Sequence, residues 1–146
     1  MILKNISVCD KEKIKKCIKD VFSKDPWNDR WEEEILDRYV LDLITPQNSL
    51  GVGYFDGEEL IAVALGRTIH WWQGKEYKID EFLVGDRYQH QGIGHAFMQA
   101  LSAALKENGY KAIVLSTRID VSAYEFYIKN GFVRLDGMVE LSKWLP

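Results

Sequence analysis

Two glycines between a strand-like segment and a helix-like segment constrain the fold more than any other feature of this sequence. Residues 77–84 have the composition of a strand, and Gly92 and Gly94 follow after a short polar stretch. A helical apolar pattern begins there and ends at the pair Asn108 and Gly109, which is typical of a helix end. The apolar face of this helix comprises Ile93, Phe97, Ala100, Leu101, Ala104 and Leu105. The second half of the chain is therefore organised as strand, glycine loop and helix.

A helix that begins beside glycines can hold a phosphate group. Its first backbone N–H groups have no partner within the helix and carry a partial positive charge, and glycine leaves them accessible. The loop of residues 89–94 meets these requirements. A Gly-x-Gly turn can also serve only to join a strand tightly to a helix, so the loop by itself leaves both interpretations open.

Two common phosphate-binding loops do not fit this segment. A P-loop requires Gly-Lys-Ser/Thr, whereas Gly94 is followed by His95 and Ala96. A dinucleotide-binding fingerprint requires a small residue three positions after Gly94, where this chain has Phe97. We therefore expect neither a nucleoside triphosphate nor a dinucleotide at this loop.

The rest of the sequence predicts an α+β fold with one mixed sheet. Strands are predicted at residues 2–8, 50–55, 60–69, 77–84 and 112–115, with short closing strands at 132–135 and 138–141. Residues 56–59 form a hairpin turn, and the apolar run 112–115 is typical of a central strand parallel to its predecessor. We expect about six or seven strands, largely antiparallel with one parallel splayed pair, flanked by about four helices.

Three helices are predicted besides the one after the glycine loop. The first follows Asp10 as its cap, and the last spans residues 120–129. The second begins at residue 28 or 29, where Asp29 and Glu32 resemble a capping box, and stops before Pro46. The apolar stripes are Ile14, Ile18, Val21 and Phe22 in the first helix, and Trp31, Ile35, Tyr39 and Leu43 in the second.

The composition fits one globular domain spanning residues 1–146. The chain is long enough for a single core, and no Pro-, Gly- or Ser-rich stretch separates two domains. A net charge of −3 disfavours binding to nucleic acid or to an anionic membrane, since both require a concentrated Lys/Arg surface. We expect a cytoplasmic protein, because the N-terminal residues lack the apolar core of a signal peptide and no apolar run reaches membrane-spanning length.

The two cysteines predict neither a metal site nor a redox pair. Cys9 and Cys17 lack the spacing of metal ligands and of a Cys-x-x-Cys motif. Cys17 shares a helix face with Ile14 and Ile18. We therefore expect two reduced thiols, with Cys17 packed inside, and no bound metal.

A second motif follows the glycine loop by about thirty residues. It consists of Asp120, Ala123, Tyr127, Gly131 and Phe132, at the spacing of an Asn-x-x-Ala-x-x-x-Tyr-x-x-x-Gly-Phe segment. Together with Gln89-x-x-Gly92-x-Gly94 after a strand, this pattern resembles the GNAT N-acetyltransferase superfamily. The resemblance extends over the order of elements in nearly the whole chain, while its specific motifs cover residues 81–132. It implies a GNAT-like α+β domain that uses acetyl-CoA.

The resemblance implies that acetyl-CoA lies along the strand and the loop. Backbone N–H groups from Gln91 to His95 would bind the pyrophosphate, and the strand before the loop would pair with the pantetheine amides as an added strand. The implied cofactor-binding residues are Phe82, Leu83, Val84, Gln89, His90, Gln91, Gly92, Ile93, Gly94, His95, Asp120 and Tyr127. His90 and His95 are interpreted as surface residues near the phosphates, at the wrong end of the cofactor for proton abstraction.

One position departs from the family pattern. Asp120 stands where the family usually has Asn, whose amide can hydrogen-bond the pantetheine arm. A carboxylate accepts hydrogen bonds but does not donate them, so this contact is in doubt. Asp120 is also suited to cap the helix that follows it, and the sequence leaves both interpretations open.

The resemblance further implies direct acetyl transfer to an amine in a ternary complex. Tyr127 matches the family tyrosine near the thioester sulfur, where it would act as the general acid for the departing thiolate. Glu81 is the first candidate for the base that takes the proton of the amine, with Asp80 and His70 as alternatives. Because side chains alternate along a strand, Asp80 and Glu81 face opposite sides unless a bulge intervenes.

The acetyl acceptor is not identified by the sequence. The acidic balance favours a small cationic amine over a protein amino group. Four tryptophans either wall the acceptor site or serve as packing surface, namely Trp27, Trp31, Trp71 and Trp72. A non-catalytic acyl-CoA-binding module and a structural domain without a cofactor are the alternative classes. The oligomeric state is also open, with a homodimer among the alternatives.

Overall fold

Five strands and four helices make up the structure, a computed structural model that describes all residues, 1–146. The strands are β1 (Ile2–Asn5), β2 (Ser49–Asp56), β3 (Glu59–Trp71), β4 (Gly74–Val84) and β5 (Ala112–Val114). The helices are α1 (Lys11–Phe22), α2 (Glu33–Ile44), α3 (Ile93–Glu107) and α4 (Ser122–Lys129), with 3₁₀ turns at Val8–Asp10 and Asp86–Tyr88. The chain divides into two units, a sheet unit Met1–Ser116 and a C-terminal unit Thr117–Pro146.

The sheet is mixed, as predicted, and its order is β1-β2-β3-β4-β5. The first four strands are antiparallel, and β4 and β5 are parallel. β5 pairs only with Glu76, Tyr77 and Lys78 of β4, so the second half of β4 has a strand on one side alone. The two strands therefore form a short parallel pair that opens beyond Lys78.

Two predictions about the strands are not confirmed. The sheet has five strands where six or seven were expected, because residues 132–135 and 138–141 belong to no strand. Their alternating pattern is typical of a strand, but a strand also needs backbone hydrogen bonds to a neighbouring strand, and these residues are not among the paired ones. β5 was predicted as a central strand and instead lies at the edge of the sheet.

The two faces of the sheet are covered by different helices. α1 and α2 bury Ile14, Ile18, Leu36 and Val40 in a cluster with Phe55, Leu60, Val63, Leu65 and Leu83. On α3, Phe97 stacks between Tyr54 and Phe82, with ring centroids 5.2 Å apart on each side. Since alternate strand residues point to opposite faces, Phe82 and the neighbouring Leu83 place α3 across the sheet from α1 and α2. β4 is thus held between two layers.

The predicted start of α1 is confirmed, and that of α2 is not. Asp10 occupies the N-cap position of α1 but makes no side-chain capping bond there, because its carboxylate accepts from the backbone N–H of Ser7 at 3.0 Å in the capping box of the preceding 3₁₀ turn. α2 begins at Glu33, and its cap residue Glu32 makes no side-chain capping bond. Asn28 has a φ of 51°, which a helix does not allow. The segment before α2 is therefore a non-helical connection.

The predicted helix ends and the packing of Cys17 are confirmed. Gly109 and Gly131 both adopt positive φ directly after α3 and α4, as their Asn-Gly pairs indicate. Cys17 packs against the core cluster, and burial raises the pKa of its thiol to about 11. Cys9 is exposed, and neither cysteine forms a disulfide. None of the four helices has the length and apolar character needed to cross a membrane.

Candidate active site

The glycine loop places Gly92 as the cap of α3. Gly92 has a φ of 77°, a left-handed conformation that disfavours any residue with a side chain, and a Cβ built there would meet no atom within 4 Å. The first backbone bond of the helix runs from the N–H of Ala96 to the carbonyl of Gly92, at 3.1 Å. The N–H groups of Ile93, Gly94 and His95 precede that bond, so they have no carbonyl of the helix to bind. This end of α3 suits an anion.

The polar side chains of the loop hold its shape. The amide of Gln89 donates to the carbonyl of Val84 at 3.2 Å, and the amide of Gln91 donates to the carbonyl of Arg87 at 3.1 Å. Both bonds tie the loop back to the end of β4 and the turn after it. His90 has a φ of 61°, and the side chains of His90 and His95 are exposed, as predicted. The loop therefore offers its backbone to a ligand more than its side chains.

The second half of β4 has an open backbone edge beside this loop. Phe82, Leu83 and Val84 pair with Ala64, Val63 and Ala62 of β3 on one side. On the other side, the pairing with β5 has already ended at Lys78. An extended ligand carrying amide groups can form strand-like hydrogen bonds with such an edge. The three residues assigned to the pantetheine arm from the sequence thus lie on a strand edge that suits this role.

A bulge in β4 sets the directions of Asp80 and Glu81. Leu65 pairs with Glu81 and the next residue, Gly66, pairs with Ile79, so Asp80 is an extra residue on β4. Gly66 is required here because a Cβ would lie 2.4 Å from the carbonyl oxygen of Lys78. From the sequence, Asp80 and Glu81 were expected on opposite faces of the strand unless a bulge intervened. The structure contains such a bulge.

Glu81 is a half-buried carboxylate with one identified donor. The hydroxyl of Tyr39 on α2 donates a hydrogen bond to its Oε1. Burial raises the pKa of Glu81, the bond from Tyr39 opposes that rise, and the charges of Asp80 and Asp29 add to it. A carboxylate with a raised pKa is a stronger base once ionised, as proton abstraction requires.

The two alternative bases are placed differently. Asp80 forms a bidentate ion pair with Arg67, with N–O distances of 3.1 and 3.2 Å. His70 is exposed and pairs with Lys75 near the end of the β3–β4 hairpin. Because Glu81 pairs with Leu65, five residues back along β3, His70 lies about 16 Å away along the strand. The geometry therefore favours Glu81.

Tyr39 is the residue at this site that the sequence did not reveal. The helical pattern marks it as one position of an apolar stripe, and its ring does stack on Trp31, with centroids 5.1 Å apart and planes 21° apart. Its hydroxyl nevertheless reaches a strand more than forty residues away in the chain. No local spacing connects positions 39 and 81, so the contact depends on the packing of α2 against the sheet.

An open cleft of about 620 Å³ lies beside Trp31. It is lined by Asp29, Arg30, Trp31, Glu32 and Ile35. The charge of Asp29 also acts on Glu81, which places this wall within electrostatic range of the half-buried carboxylate. The other tryptophans lie elsewhere: Trp27 packs edge-on against Phe22, and Trp71 and Trp72 are exposed at the tip of the β3–β4 hairpin.

In the C-terminal unit, Asp120 is paired with a residue that the sequence did not single out. Arg118 holds both of its carboxylate oxygens, at 2.9 and 2.6 Å, and this bond lowers the pKa of Asp120. Of the two interpretations of Asp120 that the sequence left open, the helix cap is not found, since the cap residue of α4 is Val121. The Arg118 pair compensates for the charge that Asp introduces in place of Asn.

Tyr127 and the Gly131-Phe132 pair belong to one helix-capping motif. The N–H of Phe132 donates to the carbonyl of Tyr127 at 3.0 Å, and the N–H of Gly131 donates to the carbonyl of Ile128 at 3.1 Å. These two bonds and the positive φ of Gly131 define a Schellman motif. The buried ring of Tyr127 packs edge-on against Phe132, with centroids 5.4 Å apart. The spacing from Tyr127 to Phe132 therefore fixes the orientation of the tyrosine.

A family model for the acetyltransferase (GNAT) family matches residues 12–132, most of the chain. The chain belongs to the GNAT acetyltransferase family. This result confirms the resemblance drawn from the glycine loop and the Asp120 to Phe132 segment. A comparison with curated proteins finds no significant match.

Solved structures of GNAT acetyltransferases share the fold at low sequence identity. A possible acetyltransferase from Clostridium difficile 630 is 13% identical, with 99% of this chain and 98% of that chain covered and a TM-score of 0.83. The aminoglycoside acetyltransferase meta-AAC0020 from an uncultured soil metagenomic sample, in complex with sisomicin, is 15% identical, with coverage of 99% and 96% and a TM-score of 0.74. AAC(6')-Iy, in complex with the bisubstrate analogue CoA-S-monomethyl-acetylneamine, is 10% identical, with coverage of 99% and 98% and a TM-score of 0.72.

The residues of this GNAT chain fit a coenzyme A group. The first turn of α3 supplies three backbone N–H groups for a pyrophosphate, and the open edge of β4 supplies the hydrogen-bonding groups that an arm with amides requires. No group of three or more His, Cys, Asp or Glu side chains is arranged to hold a metal ion. The groups available at β4 are therefore the half-buried carboxylate of Glu81 and the backbone hydrogen-bonding groups of the open edge.

Proposed function

We propose that this GNAT protein is an N-acetyltransferase that moves the acetyl group of acetyl-CoA to a primary amine of a small cationic molecule. The observation that carries the proposal is the position of Glu81. This half-buried carboxylate lies on β4, and the hydroxyl of Tyr39 orients it. The open edge of β4 is followed in the chain by the N-terminal end of α3, which suits a phosphate. A base on that strand can act on an amine brought to the thioester end of the cofactor.

The proposed reaction is a direct transfer in a ternary complex. Glu81 takes a proton from the ammonium form of the acceptor, directly or through a water molecule, and leaves a neutral amine. The amine nitrogen attacks the thioester carbonyl carbon, a C–N bond forms, and the C–S bond breaks as the thiolate departs. The nitrogen then releases its second proton, which balances the proton that Tyr127 gives to the thiolate. Tyr127 serves as the general acid that protonates or hydrogen-bonds this thiolate. Because a thiol with a pKa near 8.5 already leaves well, loss of this donor costs roughly 10²-fold or less.

The backbone of the loop binds and orients the cofactor in this scheme. The N–H groups from Gln91 to His95 hold the pyrophosphate, and residues Phe82, Leu83 and Val84 pair with the pantetheine arm. Such positioning lowers the entropic cost of bringing the thioester and the amine together.

Two observations favour a small cationic acceptor. Asp29 and Glu32 outweigh Arg30 on the wall of the cleft beside Trp31, so the lining carries one net negative charge, and a cation there can also contact the face of the ring. Of the proteins that share the fold, meta-AAC0020 is an aminoglycoside acetyltransferase in complex with sisomicin, and AAC(6')-Iy is in complex with a CoA-S-monomethyl-acetylneamine bisubstrate analogue. A protein amino group is the second candidate acceptor, since an open cleft also admits a chain terminus.

The experiment is a measurement of thiol release from acetyl-CoA with a panel of amines. The panel comprises polyamines, aminoglycosides, uncharged primary amines and a peptide with a free N-terminus. The proposal predicts turnover with at least one polycationic small molecule and slower turnover with uncharged amines of similar size. Turnover with the peptide alone would support the protein acceptor instead. CoA binding by calorimetry with no turnover across the panel would indicate an acyl-CoA-binding module.

A further inference from the structure

Two carboxylates follow each other on β4, and the charges of both act on Tyr39. Burial and the bond to Glu81 raise the pKa of the Tyr39 hydroxyl, and the charges of Glu81 and Asp80 add to that rise. The bulge explains how consecutive strand residues act on the same helix, since Asp80 is the extra residue of β4 in its pairing with β3. The proposed base therefore has a second carboxylate beside it.

The position of this second carboxylate matters to Glu81. A tyrosine hydroxyl has a single proton to donate, and Tyr39 donates it to Glu81. If Asp80 turned toward Tyr39, it would compete for that donor and repel an ionised Glu81. Burial raises the pKa of Glu81, and the charges of Asp80 and Asp29 already add to that rise. A closer Asp80 would increase its contribution.

Arg67 on β3 fixes the position of the Asp80 carboxylate. Its Nε and Nη2 atoms donate to the two carboxylate oxygens, at 3.1 and 3.2 Å. Two parallel bonds between planar groups leave a carboxylate little freedom to turn. The backbone of Arg67 pairs with Lys78, which precedes Asp80 on β4, whereas Glu81 follows it. The ion pair therefore draws the Asp80 carboxylate toward the tip of the hairpin and away from Glu81.

Arg67 reaches this ion pair from the face of the sheet that α2 covers. Val63 and Leu65 of β3 pack in the cluster with α1 and α2, and alternation gives Arg67 the same face. The side chains of Arg67 and Asp80 stay partly exposed, at 39% and 24%. Because solvent screens charges at such a position, the two-point geometry of the guanidinium matters more than its charge alone.

We propose that Arg67 is a positioning residue of this site, which holds the Asp80 carboxylate away from Glu81 so that Tyr39 donates to Glu81 alone. This role rests on the proposed function, in which Glu81 is the base. Asp80, which the sequence also allows as the base, is then a group that must be kept apart from the reacting amine.

The first experiment measures the pKa of Glu81 directly and needs no substrate. The side-chain carboxyl carbon resonance of Glu81, assigned by its absence in Glu81→Gln, is followed by NMR against pH. Arg67→Met should raise this pKa by about half a pH unit to one unit, the size of a like-charge interaction in a partly solvated site. Lys78→Met is the control, because it removes the cation opposite Arg67 and leaves the ion pair of Asp80 in place. It should leave the pKa nearly unchanged.

A double-mutant cycle shows whether Arg67 acts through Asp80. A guanidinium that acts on Glu81 directly through space contributes the same amount in either background, so Arg67→Met would then shift the pKa equally in the parent and in Asp80→Asn. An effect on the position of the Asp80 carboxylate is absent once that carboxylate is removed. We expect most of the shift to disappear in Asp80→Asn. Equal shifts in the two backgrounds, or no shift in the parent, would overturn the proposal.

The substitution Arg67→Lys separates charge from geometry and does not depend on the folding of Arg67→Met. Lysine keeps the charge but cannot form two parallel bonds to one carboxylate. It should raise the pKa of Glu81 in the same direction as Arg67→Met. A value equal to that of the parent would assign the effect to charge and refute the positioning role.

Kinetics connect this role to the reaction. In Arg67→Met the acidic limb of kcat/KM for thiol release should move to higher pH by the amount that NMR gives for Glu81, while the affinity for CoA in calorimetry stays that of the parent. A limb that stays in place while the NMR value moves would refute the role of Arg67 in catalysis. Absence of turnover with every amine would instead contradict the proposed function, and the NMR titrations would still decide whether Arg67 positions Asp80.

Discussion

The hydroxyl of Tyr39, on helix α2, donates a hydrogen bond to Oε1 of Glu81, on strand β4. The bond joins an element of the first half of the chain to the strand that leads into the glycine loop. Its energetic role follows from the opposing effects at Glu81, where burial raises the pKa and the tyrosine hydrogen bond opposes the rise. Tyr39 therefore stabilises the ionised form of Glu81 against the effect of burial.

The substitution Tyr39→Phe should move the acidic limb of the pH profile of kcat/KM to higher pH. Loss of the donor leaves the carboxylate less stabilised, so a larger fraction of Glu81 is protonated at a given pH. On the acidic limb, kcat/KM should fall by roughly 10- to 100-fold, since a hydrogen bond to a charged group contributes about 1.5–3 kcal/mol. The measurement is the pH dependence of thiol release with a fixed amine.

A matched control for this change is Tyr110→Phe. The hydroxyls of Tyr110 and Thr68 form a hydrogen bond of 2.6 Å. Thr68 lies in the part of the β3–β4 hairpin that does not contain Glu81. Both variants lose one tyrosine hydroxyl, so a general loss of stability should affect them alike. An unshifted limb in Tyr39→Phe, or an equal shift in Tyr110→Phe, would contradict the role assigned to Tyr39.

The substitution Glu81→Gln should lower kcat by about 10²–10⁴-fold, the usual contribution of a general base. Gln keeps the size of the side chain and can still accept a hydrogen bond from Tyr39, but it cannot take a proton. The affinity for CoA, measured by calorimetry, should stay close to that of the parent. The control Asp80→Asn removes the neighbouring carboxylate and its ion pair with Arg67. If Asp80→Asn proved the more damaging change, the assignment of the base would be wrong.

The substitution Gly92→Glu should raise the dissociation constant of CoA by roughly tenfold or more, because it sets a carboxylate beside the phosphates at the helix N-terminus. Any residue with a Cβ is strained at a φ of 77°, at a cost of about 1 kcal/mol in stability. Gly109→Glu is the matched control, since Gly109 has a φ of 84° and equally open surroundings. Equal CoA affinity in the two variants would argue against the phosphate site.

The fold was predictable where local pattern and local turn chemistry decide the structure. The glycine loop, the helix after it, the β2–β3 hairpin and the Asn-Gly helix ends all follow from residues close together in the chain. The start of α2 was not predictable, because Asp29 and Glu32 have the spacing of a capping box while Glu32 has an extended backbone, with a ψ of 142°. The third residue after a helix cap must itself be helical, so Asp29 does not cap α2.

The residues that would bind the cofactor were predictable from the sequence, whereas the environment of the candidate base was not. Backbone groups at a helix N-terminus follow from the glycines, and Glu81 follows from its place on the preceding strand. The environment of Glu81 depends on a bulge at Asp80 and on Tyr39, both of which arise from pairing and packing between distant segments. The predicted strands at 132–135 and 138–141 are not confirmed for a related reason, since an alternating pattern does not reveal whether a neighbouring strand is available to pair with it.

The thiols should differ in reactivity in the folded protein. Burial raises the pKa of Cys17 to about 11, so on the order of one molecule in a thousand carries its thiolate at pH 8. Cys9 is exposed. A disulfide reagent at pH 8 should therefore titrate one thiol rapidly in the native protein and two in urea. The variant Cys9→Ser should lose the rapid phase, and a rapid phase that persisted would show that Cys17 is accessible.

The ion-pair cluster around Lys15 should make stability depend on pH. Lys15 is almost fully buried between α1 and α2, with its ammonium 2.6 Å from Glu33 and 3.2 Å from Asp37. The bond from Lys15 lowers the pKa of Glu33, and bonds from Lys11 and Lys15 lower that of Asp37. A carboxylate whose pKa is lower in the folded than in the unfolded state stabilises the fold when the pH is above the unfolded-state pKa, near 4. That stabilisation is lost as the pH falls through the lower pKa of the folded state.

The substitution Lys15→Met should therefore reduce the difference in the free energy of unfolding between pH 7 and pH 3. Met keeps most of the apolar stem that packs between the helices and removes the charge. Lys16→Met is the control, because Lys16 lies on the same helix and pairs at the surface with Asp20. Urea titrations at the two pH values provide the measurement. If Lys15→Met and Lys16→Met reduced the difference equally, the depressed pKa values of Glu33 and Asp37 would not originate in the pairing with Lys15.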